Sequence, residues 1–251
     1  MLLDKVSPAS DDDIYVLGDL VDRGPKITQV LKWAIENASD SIHFLIGNHE
    51  DMFASYLEYG YWHHPWNLNT NAKVRKQIFH QGYKKWYYST VLQWITNLPL
   101  FYDIDINGVR HILVHAGIRY SDNDVAINGI QEIGSRQEIV TISGFGRQHA
   151  QDLMWIREGW IDRSVDDGIV FICGHTPFLS NEVLSEVNGS LNDFGLGKEA
   201  QPGHVNKIGS RYFIDCGISH ISDYPNTADL AMLRLEDKQV FYLNKPDEVV
   251  E

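Results

Sequence analysis

Apolar positions along the chain fall into two rhythms. Four short runs are largely apolar and β-branched: Ile14–Leu17, Ile42–Ile46, His111–Val114 and Ile169–Cys173. Runs of this length and composition predict strands buried on both faces. Elsewhere the spacing is helical. Ile27, Val30, Leu31, Ala34 and Ile35 line one face of a helix, with Pro25 just ahead of it, where a proline is tolerated. Helices are also predicted over Glu50–Leu57, over Tyr87–Leu98 (stopped by Pro99) and over His149–Glu158. Asn107-Gly108 between Leu100–Ile106 and Val109–Val114 reads as a hairpin turn. Past residue 180, Val183–Val187, Arg211–Asp215, Asp229–Leu235 and Val240–Leu243 predict short strands of a mostly antiparallel second sheet. Ser121–Gly146 and Gly189–Gly203 are polar and glycine-rich, and are expected to be loops rimming a cleft. The expected architecture is a single α/β domain over residues 1–251, with layered β-sheets flanked by helices.

Composition narrows the function classes. Hydrophobic residues make up 43% and charged residues 22%, which fits a globular chain and excludes collagen, coiled coil and disorder. No 18-residue apolar window is present, so no membrane-spanning helix is expected. Residues 1–10 have neither a basic start nor an apolar run, so no signal peptide is expected. Cys173 and Cys216 are the two cysteines, too few for a disulfide framework, and a cytoplasmic location is expected. The net charge of −13 argues against a nucleic-acid surface. It leaves a phosphate substrate open, because a bound divalent cation reverses the local field. Neither nucleic acid nor membrane is expected as a partner.

The chemistry sits where the apolar runs end. They lead into Gly18-Asp19, Gly47-Asn48-His49, His115-Ala116-Gly117 and Gly174-His175-Thr176. Ligands of layered α/β proteins bind beyond the carboxyl ends of strands, so the four ends are expected at one end of a sheet, around one site. Singly, each has a bland reading. Asp19, Asp22 and Arg23 make an acidic turn, Asn48 a helix N-cap, and His115 and His175 hydrogen-bonded core histidines. Jointly they form a donor set. Carboxylate and amide oxygens are hard ligands, and imidazole suits first-row transition ions.

These motifs carry a resemblance. Gly18-Asp-Leu-Val-Asp-Arg-Gly24, Gly47-Asn-His-Glu50, Val114-His-Ala-Gly-Ile118 and Gly174-His-Thr-Pro177 resemble, in order, the motifs of the phosphoprotein phosphatase family. This is the calcineurin-like group of dinuclear metallophosphoesterases. Trp155-Ile-Arg-Glu158 and Ile214-Asp-Cys-Gly217 resemble segments of its bacterial members. The resemblance implies that Asp19 bridges two metal ions and that Asn48, His115 and His175 complete the second site. It implies that Arg23 and Arg157 bind phosphoryl oxygens, and that His49, backed by Asp22, is the general acid opposite a metal-bound hydroxide. The implied cofactor is a divalent metal, manganese foremost, with iron or zinc as alternatives.

The chain departs from that pattern at its start. The family's opening strand ends in Gly-Asp-x-His, which supplies the first metal's ligands. No such motif precedes Asp19, and no histidine precedes His43. The expectation is therefore a chain lacking that first strand and its motif, with one metal site kept, a sheet edge open and weak turnover.

Three functions follow as expectations. The leading one is a metal-dependent phosphomonoester hydrolase of the serine/threonine protein phosphatase type, acting on phosphorylated protein or a small phosphoester. The alternatives are a symmetrical diadenosine tetraphosphatase-like hydrolase and a pseudophosphatase that only binds. Other segments read blandly. Tyr59, Tyr61, Trp62, His63, His64 and Trp66 suit core or interface better than a substrate-selecting wall. Lys73, Arg75, Lys76, Lys84 and Lys85 suit a solvated helix face, and Asp215 and Cys216 a structural strand end.

Overall fold

In the computed structural model the residues described are 2–60, 76, 82–119, 136, 138–157, 160, 168–178 and 200–250. They fall into two compact units. One contains Asp13–Leu100 and Ile118–Ile156; the other contains Met1–Asp12, Phe101–Gly117 and Arg157–Glu251.

In the first unit, β1 (Ile14–Val16) and β2 (Ile42–Phe44) pair in parallel, with Ile14 opposite Ile42 and Val16 opposite Phe44. The ladder runs past the strands, since the Leu45 amide donates to the Val16 carbonyl at 2.9 Å. Both strands are mostly half-buried, whereas the sequence predicted burial on two faces. The reason is that they form a two-stranded sheet of their own among the described residues. The connecting helix α2 (Ile27–Asn37) buries Ile27, Thr28, Leu31 and Ala34, close to the predicted stripe. Helix α3 (Asn48–Tyr59) begins two residues before the predicted start and buries every residue from Asn48 to Leu57. Gly47, not Asn48, is its N-cap, and Gly60 ends it in the left-handed region at φ 77°.

The third predicted helix is present with an irregularity. It runs as α4 (Lys84–Trp86), a π-helical turn over Tyr87–Val91, and α5 (Leu92–Thr96). Tyr87, buried in the π turn, packs edge-on against Phe53 at 5.8 Å and hydrogen bonds to Thr28 Oγ1 at 2.7 Å. β5 (Ile139–Ile142) pairs antiparallel with β6 (Gly146–His149), so part of the predicted loop is a strand. His149 closes β6, and the following helix α6 (Ala150–Trp155) is shorter than predicted.

The second unit holds a five-stranded sheet. Its hairpin is β3 (Phe101–Ile106) and β4 (Val109–Val114), turning at Asn107 and Gly108 with φ 55° and 79°. Two positive φ values in a two-residue loop are what asparagine and glycine supply. β4 pairs in parallel with β7 (Val170–Cys173), and β7 with β9 (Arg211–Phe213). β8 (Asn206–Ile208) adds antiparallel to β9. Arg211–Asp215 was expected in a separate second sheet; β9 instead extends the first. The separate sheet is smaller, with β10 (Ala231–Leu233), β11 (Gln239–Tyr242) and β12 (Glu248–Val249) antiparallel. Helix α1 (Leu2–Val6) is tied to it by Lys5, whose Nζ donates to the Tyr242 carbonyl and to Asp247, each at 2.6 Å. The four chemistry-bearing strand ends thus belong to two sheets, two ends to each, and not to one.

Val183–Val187, the aromatic group from Tyr61 to Trp66, Lys73, Arg75, Glu158 and most of the two predicted loops lie outside the described residues. Among the described residues no helix is long and apolar enough to cross a membrane.

Candidate functional site

The parallel pairing of β1 and β2 sets two chain exits side by side. Beyond β1 the backbone turns through the left-handed region repeatedly: Gly18 at φ 94°, Asp19 at 59°, Asp22 at 77° and Arg23 at 49°. Aspartate tolerates that region because its short side chain bonds locally. Beyond β2, Gly47 leads straight into α3. A Cβ at Gly47 would lie 2.4 Å from Asp19 Oδ1 and 2.6 Å from the Asp19 amide nitrogen, so only glycine fits.

Asp19 is half-buried. Its Oδ1 accepts the His49 amide at 3.2 Å, in the first turn of α3, where unpaired amides favour an anion. Asp22 and His49 are buried, at 7% and 5% exposure, and Nδ1 of His49 is hydrogen bonded to Asp22 Oδ2. Nε2 of the same ring lies 4.0 Å from Asp19 Oδ2. Burial disfavours the imidazolium, but the Asp19 charge and then the Asp22 hydrogen bond and charge outweigh it. The His49 pKa is therefore raised above the ordinary histidine value. Asn48 is buried beside it at the helix start, and Arg23 is exposed.

β4 and β7 repeat the arrangement in the other unit. The Gly174 amide donates to the His115 carbonyl at 2.8 Å, one step past the ladder. The His115 and His175 rings lie edge-on, with centroids 5.1 Å apart and both side chains buried. His175 takes φ 65°. Arg157, exposed, donates from Nε to Thr176 Oγ1 and from Nη2 to the His175 carbonyl, each at 3.3 Å. Behind His115, a Cβ at Gly117 would sit 2.6 Å from the Trp160 ring. Trp160 is held in turn by buried Arg211, which donates to its carbonyl and lies 5.3 Å from its ring centroid.

Within their units, the predicted residues are brought together: Asp19, Asp22, Arg23, Asn48 and His49 in one, His115, His175 and Arg157 in the other. Two imidazoles, a carboxylate and an asparagine amide are a donor set that fits a divalent first-row ion. Sequence reading missed the partners behind them. Glu50 was part of a motif without a role, and Trp160 and Arg211 carried no signal, because their contacts join residues 51 positions apart.

Comparison with known proteins agrees with these motifs. Residues 1–196 match the calcineurin-like phosphoesterase family. A symmetrical bis(5'-nucleosyl)-tetraphosphatase of Paracidovorax citrulli (strain AAC00-1) is 34% identical over 119 residues, 47% of this chain and 38% of that protein. The enzyme of the same description from Acidovorax ebreus (strain TPSY) is 32% identical over 109 residues, 43% of this chain and 35% of that protein. The chain therefore spans little more than a third of the length of the curated relatives it matches. A crystal structure of a candidate diadenosine tetraphosphatase superposes with a TM-score of 0.52 at 14% identity, over 96% of this chain and 85% of that one. The fold is the calcineurin-like phosphoesterase fold, whose members bind divalent metals, and the chain belongs to the calcineurin-like phosphoesterase family.

Proposed function

We propose that this protein is a metal-dependent hydrolase of a dinucleoside tetraphosphate, cutting it symmetrically into two nucleoside diphosphates. The observation that carries the reading is the buried His49–Asp22 pair set beside Asp19. The activity of the relatives supports the tetraphosphate over the phosphoserine or phosphothreonine substrate that the motifs first suggested.

By the motif resemblance and the chemistry of the donors, Asp19, Asn48, His115 and His175 would hold one divalent ion, manganese being the first to try. Such an ion supplies Lewis acidity and a water acidified toward neutrality. Every other part is played by side chains. Asp22 fixes the His49 ring through Nδ1 and favours its protonated form. With Asp19 committed to a cation, Asp22 is the carboxylate that still holds that proton. Nε2 is the ring atom assigned to protonate the leaving oxygen. Arg23 and Arg157, both exposed, would clamp phosphoryl oxygens with their planar forks. Arg157 is steadied for this by Thr176 and the His175 carbonyl.

The test is the product pattern. The manganese-supplied protein is given diadenosine tetraphosphate, a phosphoserine peptide and p-nitrophenyl phosphate in parallel. ADP as the sole nucleotide product is expected. Phosphate released from the peptide with the tetraphosphate untouched would restore the protein phosphatase reading. Binding of metal and nucleotide without turnover of any substrate would favour the pseudophosphatase.

A further inference from the structure

Glu50 is fully buried at the third residue of α3, and both its carboxylate oxygens are used. Oε2 accepts the amides of Asp19 at 2.7 Å and Gly47 at 3.0 Å. Oε1 accepts those of Leu20 at 2.7 Å and Val21 at 3.1 Å. A glutamate at this position ordinarily reaches back only to its own helix cap. Here the cap takes one bond of four, and the other three go to a turn some 30 residues earlier in the chain. Three successive amides converging on one charge form an anion-binding concavity. The charge is built in, carried by the helix that also carries Asn48 and His49.

We infer that Glu50 is the positioning residue of this half of the site: its carboxylate holds the Asp19–Val21 turn against the start of α3. The turn needs such a clamp. Asp19 and Asp22 both sit in the left-handed region, which a free chain leaves readily. Charge-assisted bonds to three amides fix the backbone from which the Asp19 carboxylate projects and, one residue further on, Asp22. Gly47 completes the fit, because a Cβ there would also lie 2.8 Å from Glu50 Oε2. Glu50 touches no reacting atom. It acts through Asp19 on the metal and through Asp22 on His49, so its effect on metal affinity rests on the function proposed above.

Glu50→Gln tests it. The amide keeps the shape, but its NH2 group must face amide donors that the carboxylate accepted, so about half the bonds are lost. In the metal-free protein, exchange of the Asp19, Leu20 and Val21 amides should quicken roughly tenfold or more. Ile112 and Leu113 in β4 should keep their protection. Manganese affinity, read by calorimetry on the folded variant, should fall about 10–100-fold, the usual scale for groups that orient ligands. A merely structural glutamate would lower the melting temperature and leave manganese affinity at 25 °C unchanged; that result, or unaltered exchange at residues 19–21, overturns the inference. Should the variant fail to fold, Gly47→Ala, whose added Cβ crowds both the Asp19 backbone and Glu50 Oε2, forces the same clamp apart and should produce the same two changes. If the unaltered protein binds no manganese, the metal reading fails by itself, and the exchange rates still decide whether Glu50 holds the turn.

Discussion

His49 has one ring nitrogen committed to Asp22 and the other facing Asp19 at 4.0 Å. A residue so placed moves a proton and need not ligate a metal. His49→Ala should therefore leave manganese content nearly unchanged and lower turnover of an alkyl phosphate by about 10²–10⁴-fold. On p-nitrophenyl phosphate, whose leaving group needs little protonation, the loss should be much smaller. Parallel steady-state assays on the two substrates check this, and equal losses would remove His49 from the general-acid role. The cysteines are a contrasting case of burial without chemistry. Both thiols are enclosed, and burial pushes Cys173 up to about 12 and Cys216 higher still. Neither should react with a thiol reagent at pH 8 until denaturant is added, when both should.

At the level of elements, glycine contacts make the sharpest predictions. Gly117→Ala places a methyl group 2.6 Å from the Trp160 ring, inside a packed layer. It should cost about 1–3 kcal/mol of stability, measured by urea denaturation. The β3–β4 hairpin supplies a pH-dependent case. Arg110 grips Asp103 through Nε at 2.8 Å and Nη2 at 2.6 Å, and this hydrogen bonding holds the Asp103 carboxyl below its usual value. A depressed folded pKa gives stability that is present above the unfolded pKa and is lost as pH falls through the folded one. Asp103→Asn should thus cost about 0.2–1 kcal/mol at pH 7, and the difference should vanish in acid below the folded pKa. Urea midpoints measured at both pH values decide it.

The elements also mark where sequence reading stops. The four apolar runs were legible as strands because they are short, continuous and β-branched, although only β4 and β7 are buried as that continuity predicted; their ends were legible because glycine, aspartate and histidine there announce a turn with a purpose. β8 was illegible. Of Asn206, Lys207 and Ile208, only the isoleucine is apolar, and Asn206 is buried by bonding to Gln201 and His204 instead. β9 was read as a strand but assigned to the wrong sheet, since its partner β7 lies 40 residues away and pairing at that range leaves no local trace. Glu50 illustrates the limit at the site itself. Three residues after Gly47 it looks like half of a helix cap, and nothing local reveals that most of its bonds go to residues 19–21.

For the whole molecule, the proposed metal centre predicts a linkage. An ion that binds the folded chain and not the unfolded one stabilises it by about 2.7 kcal/mol when free metal stands a hundredfold above its Kd. Thermal denaturation in EDTA and in saturating manganese should differ accordingly, and coincident curves would argue against a native metal site.

The left-handed backbone at the site carries a consequence for anyone improving this protein. Of the seven described non-glycine residues with positive φ, four are Asp19, Asp22, Arg23 and His175. Each would be relieved by glycine, which occupies that region without the steric penalty of a Cβ. A selection for heat resistance alone would therefore favour glycine at the very positions proposed to bind metal (Asp19, His175), to hold the His49 ring (Asp22) and to bind phosphate (Arg23). Thermostable variants recovered that way should be enriched in inactive enzyme, and durability in this protein is better sought away from the strand ends.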